Sequence, residues 1–236
     1  MSKSLVLATS LLGLGGLALV ASSGQSSAQG KTSGTISGTI QFSGKAPARK
    51  TVDTSSDAAC GAKQESDAVV VTKGKLRDVH VRIKNGTAGK HKASSAPVVI
   101  EQTGCVYLPH VVGAMVGQPV AIRNKDKTMH NVHAYIGKET WFNRSQPKGA
   151  PDIVERDTGE AGEVFELKCN VHAWMHSYMP ITDHPYFDVS GSDGAFSIKN
   201  VPAGSYTLEA WHPTLGLKST KVTVGKSGTT ASFSYP

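Results

Sequence analysis

The sequence predicts an all-β protein of the β-sandwich class. Short stretches in which apolar and polar residues alternate recur along the chain, and clusters rich in Gly, Pro, Asn and Ser separate them. Beyond the amino-terminal segment, no stretch keeps the apolar periodicity that marks an amphipathic helix. Glycine is frequent, at 25 residues, and aromatic residues are scarce, at 6%, which is typical of short strands joined by turns.

The first strand is predicted in residues 34–44, "GTISGTIQFSG", where Ile36, Ile40 and Phe42 share one face. Residues 146–162 are polar and contain two prolines, which predicts a long loop. Further strands are predicted at residues 68–71, 76–84, 98–109, 113–124, 130–137, 163–169, 195–200, 205–212, 219–225 and 229–235.

Residues 1–28 carry the pattern of a secretory signal peptide. Lys3 precedes an apolar run over residues 5–21, small residues follow, and cleavage is expected after Ala28. The apolar run is short for a bilayer span and contains Thr9 and several glycines, so we expect no stable membrane insertion after cleavage. The mature protein is therefore predicted to be exported, to the periplasm or the extracellular space.

The formal net charge is +7 and the isoelectric point is near 9.3, but the basic residues are dispersed along the chain. No run resembles a nucleic-acid-binding patch, so no nucleic-acid partner is expected. A basic surface can steer an acidic protein towards the chain. The charge is therefore compatible with a protein partner and indicates nothing about the oligomeric state.

Cys60, Cys105 and Cys169 are an odd number of cysteines for an exported protein. Exported proteins meet an oxidising environment in which cysteines pair, so a remaining thiol needs a role. Cys169 lies in "KCNVHAWMHSYM", residues 168–179, where metal-binding side chains are crowded together. The simplest arrangement is a Cys60–Cys105 disulfide, with Cys169 kept as a thiolate.

The spacing of Cys169, His172 and Met175 predicts a copper site. Phe165, Leu167 and Cys169 point to the same side of one predicted strand, so the cysteine leaves the inner face at the end of that strand. A thiolate, an imidazole and a thioether form a soft to borderline donor set that suits copper. Blue-copper sites add a second histidine to this set.

The second histidine is expected from an earlier strand, which offers His130 and His133. Residues three apart in an extended segment point to opposite faces, so at most one of the two faces the site. His176 and Met179 follow the motif closely and compete with Met175 for the axial position. A histidine as fourth ligand would give a more tetragonal copper site that is not blue.

The sequence "HNVH" after an R-N-x-D turn, followed at a distance by C-x2-H-x2-M, resembles the cupredoxin family, and within it the amicyanin-like and plastocyanin-like members. The resemblance covers about residues 95–180 and implies a Greek-key β-sandwich that holds one type 1 copper ion, Cu(I) or Cu(II). It also implies that Asn131 ties the histidine loop to the cysteine loop by hydrogen bonds. The implied ligands are His130, Cys169, His172 and, as the weak axial donor, Met175.

Three other histidines, His110, His184 and His212, lie near prolines or aromatic residues. We expect them to be turn and packing histidines. A second metal site built from some of them remains an alternative.

The segment "VSGSDGAFSIKNVPAGSYTLEAWH" resembles the carboxypeptidase regulatory-like family of small β-sandwiches, in which a D-G-x-F strand precedes a V-P-A-G turn and a Y-T-L strand. That family opens with a strand like residues 34–44. The resemblance implies no peptidase activity, because a fold does not determine a function. The predicted organisation is a signal peptide at 1–28, a leader and first strand at 29–65 that pairs with the carboxy-terminal sandwich, a cupredoxin-like copper domain at 66–180, and a second small β-sandwich at 181–236.

Together these features predict an exported type 1 copper protein for electron transfer, with a redox protein as its partner and no enzymatic activity. Trp174, between the ligands, is expected beside the metal in a docking patch. Two other classes stay open. A copper enzyme or copper-handling protein would need an open coordination position, which a site ligated by His176 could have. A non-redox surface binding module would use the metal for structure alone.

Overall fold

The computed structural model describes residues 32–85 and 89–236. The predicted signal peptide, residues 1–28, lies outside this range. The regular structure in the described residues is β-strand apart from one 3-10 turn at Ala58–Cys60, so the all-β prediction is confirmed. Over the same residues, no helix has the length and apolar character needed to cross a membrane.

Most strands are short and are joined by turns or loops. In chain order they are β1 (Ser33–Phe42), β2 (Thr51–Asp53), β3 (Lys63–Glu65), β4 (Val71–Thr72), β5 (Lys75–Leu76), β6 (His80–Ile83), β7 (Val98–Gln102), β8 (Tyr107–Leu108), β9 (Ala114–Met115), β10 (Val120–Asn124), β11 (His130–Ile136), β12 (Glu139–Gln146), β13 (Ile153–Glu155), β14 (Val164–Lys168), β15 (His176–Thr182), β16 (Phe187–Val189), β17 (Ala195–Pro202), β18 (Gly204–His212), β19 (Gly216–Val224), β20 (Thr229–Thr230) and β21 (Phe233–Tyr235).

Strands β7 to β15 form two sheets that we call the central sandwich. One sheet has the order β13-β10-β7-β8 and the other the order β12-β11-β14-β15-β9. Their apolar faces share one core, with Ile100 and Ile122 from the first sheet and Phe165 and Leu167 from the second. The alternation in β14 explains this placement, because successive strand residues point to opposite faces. The long loop predicted for residues 146–162 contains one further short strand, β13.

Most of the remaining strands form what we call the flanking sandwich. One sheet has the order β17-β1-β5-β4, with β20 and β21 also paired to β1, and the other has the order β16-β6-β18-β19. The core between them includes Ile36 and Ile40 from β1 and Val81, Ile83 and Leu208 from the facing sheet. The described residues 32–85 and 89–236 therefore contain two separate apolar cores.

Strand β1 lies among strands from the far end of the chain. It pairs antiparallel with β17 and parallel with β20 and β21. Strand β6 lies between β16 and β18, and β5 pairs with β1. Strands β4 to β6 therefore pair within the flanking sandwich, whereas their sequence predicted them to lie in the copper domain at 66–180. Their alternation is the same in either sandwich, so local sequence does not reveal which core they join.

Candidate metal centre

Two neighbouring strands of the central sandwich bring His130 and Cys169 together. Strand β11 begins at His130, and β14 ends one residue before Cys169. Because the two strands pair antiparallel, the start of β11 lies beside the end of β14. His172 lies on the turn that follows, which is closed by the Met175 N–H donating to the His172 carbonyl at 2.9 Å. The pairing of β11 with β14 thus brings His130 close to Cys169 and His172, although His172 lies 42 positions later in the chain.

Three buried donor groups converge at this point: Nδ1 of His130, Nδ1 of His172 and Sγ of Cys169. The two nitrogens are 2.9 Å apart, and Sγ lies 3.7 Å from Nδ1 of His172. The exposed fractions of the three residues are 0%, 0% and 2%. Two nitrogens at about 2.0–2.1 Å and a thiolate at about 2.3 Å from one ion lie roughly 3–4 Å from each other, so these separations fit a shared metal ion.

The outer nitrogen of each histidine ring faces a carboxylate. Nε2 of His130 lies 2.8 Å from Oδ2 of Asp126, and Nε2 of His172 lies 3.1 Å from Oδ2 of Asp57. Because a carboxylate accepts hydrogen bonds, each Nε2 carries the proton of the neutral ring and each Nδ1 presents a lone pair. Burial lowers the pKa of His130, and the neighbouring Asp126 offsets this only in part, which favours the neutral ring.

The two lone pairs therefore face each other across 2.9 Å. Such an arrangement is repulsive unless a proton or a metal ion lies between the nitrogens. The sulfur of Cys169 is a third donor at the same point. A proton shared between the two nitrogens would not involve this sulfur, whereas a metal ion could bind all three atoms. The donor set of two imidazoles and one thiolate is the set that copper prefers, so the residues present fit this metal.

The sulfur of Cys169 also has a backbone hydrogen-bond donor. The N–H of Asn131 donates to Sγ at 3.3 Å, which holds the sulfur beside the start of β11. The side chain of Asn131 accepts from the Asn170 N–H at 3.2 Å and donates to the Arg144 carbonyl at 3.4 Å. The bond from Asn170 joins the start of β11 to the loop after β14, and the bond to Arg144 joins it to β12.

Tyr107 supports the same two strands from inside the core. Its hydroxyl lies 3.3 Å from the Asn131 carbonyl and 3.3 Å from the Lys168 carbonyl, and these two carbonyls share its hydrogen bond. Asn131 and Lys168 are the chain neighbours of His130 and Cys169. Burial raises the pKa of Tyr107, and the nearby Cys169 adds to this effect. The hydroxyl therefore remains a neutral donor between the two strands.

The register of the sheet separates the two candidate methionines. Phe165 of β14 pairs with Met179 of β15, and extending this register places Met175 opposite Cys169. Met179 lies four residues further along, which is about 13 Å on an extended strand. Both side chains are buried in the central core, with exposed fractions of 1% for Met175 and 0% for Met179. Met175 is thus the methionine on the same sheet face and at the same level as the cysteine.

Two other histidines near the motif face away from this point. His176 has Nδ1 at 3.5 Å from Oε1 of Glu166 and Nε2 at 3.2 Å from the Ala173 carbonyl. His133 is stacked on Tyr135, with ring centroids 4.2 Å apart, on the outer face of β11. The alternation of β11 explains why His130 is buried while His133 is partly exposed.

His110, His184 and His212 are buried, with exposed fractions of 4%, 2% and 1%. Within the part of the chain that the structure describes, the close groups of three or more His, Cys, Asp or Glu residues include none of the three. His184 instead donates to the Ile83 carbonyl at 2.9 Å, and Nδ1 of His212 accepts from the Thr214 N–H at 3.1 Å. The structure thus places His184 and His212 in hydrogen bonds with backbone groups.

A loop that we call the cover loop, residues 54–61, closes the outer side of His172. Cys60 of this loop forms a disulfide with Cys105, and Sγ of Cys60 lies 3.6 Å from Nε2 of His172. Asp57 of the same loop is the carboxylate partner of His172. The cover loop and the disulfide together explain why His172 has no exposed surface.

Three residues that contact the candidate donors or the strands carrying them were not among the predicted site residues: Asp57, Asp126 and Tyr107. Asp126 is the acidic residue of the R-N-x-D turn, four positions before His130, so its sequence signal was available. It also accepts from the N–H groups of Gly104 and Cys105, at 2.6 and 2.9 Å. Asp57 and Tyr107 carry no local signal, because they reach the site only through tertiary packing.

Comparisons with solved structures return cupredoxins. A purple cupredoxin from Nitrosopumilus maritimus is 21% identical with a TM-score of 0.31, and the match covers 36% of this chain and 98% of that chain. A mutant of amicyanin in the reduced state is 19% identical with a TM-score of 0.33, with coverage of 38% and 86%. A copper-containing nitrite reductase from Thermus scotoductus SA-01 is 16% identical with a TM-score of 0.34, and this chain covers 26% of it. Likeness at these TM-scores adds no argument about function.

The family model that matches this chain is polysaccharide lyase family 4, domain II, over residues 163–232. The match begins at β14 of the central sandwich and extends through most of the carboxy-terminal strands. No curated protein matches the chain. The resemblance of the carboxy-terminal segment to the carboxypeptidase regulatory-like family therefore stays a prediction.

Proposed function

We propose that this chain is an exported mononuclear copper protein that transfers electrons. The observation that carries the proposal is the convergence of two histidine Nδ1 lone pairs and one cysteine sulfur at a buried point. His130, Cys169 and His172 would hold the metal, with Met175 as a weak axial donor. Bound copper would supply a one-electron change between Cu(I) and Cu(II).

The residues around the ligands restrict their movement. Asp126 and Asp57 fix the tautomer and orientation of the two rings, and the Asn131 N–H holds the sulfur. Tyr107 links the two strands that carry His130 and Cys169. Because these partners are already in place, a change of charge at the ligands requires little rearrangement, which suits electron transfer.

An electron carrier fits the burial of the site better than an enzyme does. A copper enzyme needs a coordination position that substrate or water can reach. Here the described residues bury all three donors, and the cover loop lies over His172. His176, the residue that would suit an open site, faces Glu166 on the outer side of the sheet.

Export and a protein partner complete the proposal. The signal-like pattern of residues 1–28 and the Cys60–Cys105 disulfide both suit an oxidising compartment. Met129 and Val171, next to two ligands, are 45% and 47% exposed and offer an apolar contact surface near the site. The net charge of +7 favours an acidic redox protein as the partner.

We also propose that the central sandwich is a copper module inserted into the flanking sandwich. The pairing of β1 with β17, β20 and β21 supports this organisation, because it unites the two ends of the described chain around one core. The chain would then leave the flanking sandwich after β6 and return to it at β16, and these two strands are paired neighbours.

Copper binding tests the proposal directly. The wild-type protein loaded with Cu(II) should show an intense thiolate-to-copper absorption band and narrow hyperfine splitting in its EPR spectrum. His130→Ala and Cys169→Ser should lose the band while the metal-free proteins keep the wild-type circular dichroism spectrum. His133→Ala, on the same strand but facing outward, is the matched control and should stay coloured. A weakly coloured wild-type site with exchangeable water would favour a copper enzyme, and absence of copper binding would refute the proposal.

A further inference from the structure

Two carboxylates lie behind the histidine rings of the candidate metal centre, on the side away from the shared donor point. Oδ2 of Asp126 lies 2.8 Å from Nε2 of His130, and Oδ2 of Asp57 lies 3.1 Å from Nε2 of His172. The two Nδ1 atoms face each other at 2.9 Å instead. Each imidazole ring therefore connects one carboxylate to the point where the three donors meet.

Asp126 is surrounded by hydrogen-bond donors. The Gly104 N–H donates to Oδ1 at 2.6 Å, and the Cys105 N–H donates to Oδ2 at 2.9 Å. With Nε2 of His130, three N–H groups point at this carboxylate, which accepts hydrogen bonds only when it is ionised. Its side chain is 12% exposed, so water screens its charge only in part.

Asp57 has a similar set of partners on the cover loop. The Thr128 hydroxyl donates to Oδ2 at 2.6 Å, and the Ala59 N–H donates to Oδ1 at 2.9 Å. The side chain of Asp57 is 23% exposed, about twice the value for Asp126. The Cys60–Cys105 disulfide ties this loop to the residue whose N–H binds Asp126, so one cross-link holds the surroundings of both carboxylates.

No positive side chain balances these two charges in the described residues. Within residues 32–85 and 89–236, each of the two carboxylates forms its ion pair with a candidate ligand histidine, and neither pairs with a Lys or an Arg. A histidine ring that binds a metal through Nδ1 and keeps its proton on Nε2 is neutral. Asp57, Asp126 and the thiolate that Cys169 would supply therefore place three negative charges around one buried point.

We propose that Asp57 and Asp126 are positioning residues that make the site prefer Cu(II) over Cu(I) and so lower its reduction potential. This inference rests on the proposed function. Uncompensated negative charge in a poorly screened site stabilises a doubly charged ion more than a singly charged one. A carboxylate that accepts from Nε2 also makes the ring a stronger donor through Nδ1, which acts in the same direction. The contribution of Asp126 should be the larger one, because its charge is less exposed to water.

The test is the ratio of Cu(I) affinity to Cu(II) affinity, measured on the full chain by redox titration and by competition with a chelator for each ion. Asp126→Asn and Asp57→Asn each remove one charge at nearly constant shape. Each variant should raise the ratio by about tenfold, equal to about 60 mV for one electron, chiefly through weaker binding of Cu(II). The thiolate-to-copper absorption band should persist, because the three donors remain.

Three variants separate the effect of charge from that of loop placement. Thr128→Val removes a hydrogen bond to Asp57 but keeps the charge, so it should not raise the ratio. Glu166→Gln removes a carboxylate of β14 that faces His176, and it should leave the ratio within about twofold of wild type. Asp57→Ser removes the charge with a smaller side chain and should raise the ratio as Asp57→Asn does, even where the amide disturbs the cover loop.

The outcomes distinguish this inference from the proposed function. Ratios within about twofold of wild type in the Asp57 and Asp126 variants, with copper still bound, would overturn the inference and leave the proposed function standing. A rise in Thr128→Val as large as that in Asp57→Asn would overturn it as well, because the placement of the loop would then set the ratio. Failure of the wild-type chain to bind copper would refute both.

Discussion

Removal of the Cys60–Cys105 disulfide should destabilise the protein by an amount that follows from its position in the chain. The bond closes a segment of 45 residues. In the chain-entropy model a loop of this length contributes about 4 kcal/mol to the free energy of unfolding. The cover loop keeps local bonds without the disulfide, including Thr54 Oγ1 to the Gly61 carbonyl at 2.9 Å. Most of the loss should therefore arise from the unfolded state.

The measurement is urea unfolding of the metal-free Cys60→Ala/Cys105→Ala variant beside the oxidised wild type. With a slope of about 2–3 kcal/mol per molar urea, a loss of about 4 kcal/mol lowers the midpoint by roughly 1.3–2 M. Wild-type protein treated with a dithiol reductant is the matched control and should unfold near the variant. A midpoint within a few tenths of a molar of the oxidised wild type would refute the reasoning.

The same variant should expose the metal site. Sγ of Cys60 lies 3.6 Å from Nε2 of His172, and the disulfide anchors the loop that carries Asp57. Without this anchor the cover loop should open more often, so a chelator should remove copper faster from the variant than from the wild type. An unchanged removal rate, despite the lower stability, would mean that the cover loop is no barrier to the metal.

Three further predictions follow from the register, the sheet order and the burial of a histidine. Met175→Leu should raise the reduction potential of a site that stays blue, because it removes a weak donor with little change of volume, whereas His176→Ala should leave the potential unchanged in the same redox titration. Deletion of residues 33–42 should raise hydrogen exchange at residues 195–202, which lose their antiparallel partner, and unchanged protection there would contradict the observed pairing. Burial lowers the pKa of His80 to about 3, so the unfolded chain binds a proton that the folded one does not. The free energy of unfolding of the metal-free protein should therefore fall as the pH drops from about 6.5, by up to about 1.4 kcal/mol per pH unit, and His80→Phe should reduce this slope in urea titrations at pH 7 and pH 4.5.

Local sequence was sufficient to predict many of the strands, although it missed β2, β3, β12, β13, β15 and β16. It was also sufficient to place the candidate donor residues on their strands. Alternation along β14 places Phe165 and Leu167 inside and Cys169 at the end of the same face, because the side-chain period of a strand is fixed. The same rule distinguishes His130 from His133 on β11. Donor types and spacings can be read directly along the chain, since they depend on residue identity alone.

The residues that form hydrogen bonds with the candidate donors could not be predicted from local sequence. Asp57 lies 115 positions before His172, and nothing in its neighbours indicates that its loop covers the turn that carries His172. The assignment of β4 to β6 to the flanking sandwich also depends on long-range pairing.

The sequence by itself determined an all-β chain with strand-end donors of a copper-binding type. Only the tertiary structure decided that both Nδ1 atoms meet at 2.9 Å, that Met175 lies level with Cys169, and that His172 is covered. The physical reason is that residue type and strand period are local properties. The position of a loop or a strand depends on distant parts of the chain, because it is set by the apolar surface it buries there and by the backbone groups with which it forms hydrogen bonds.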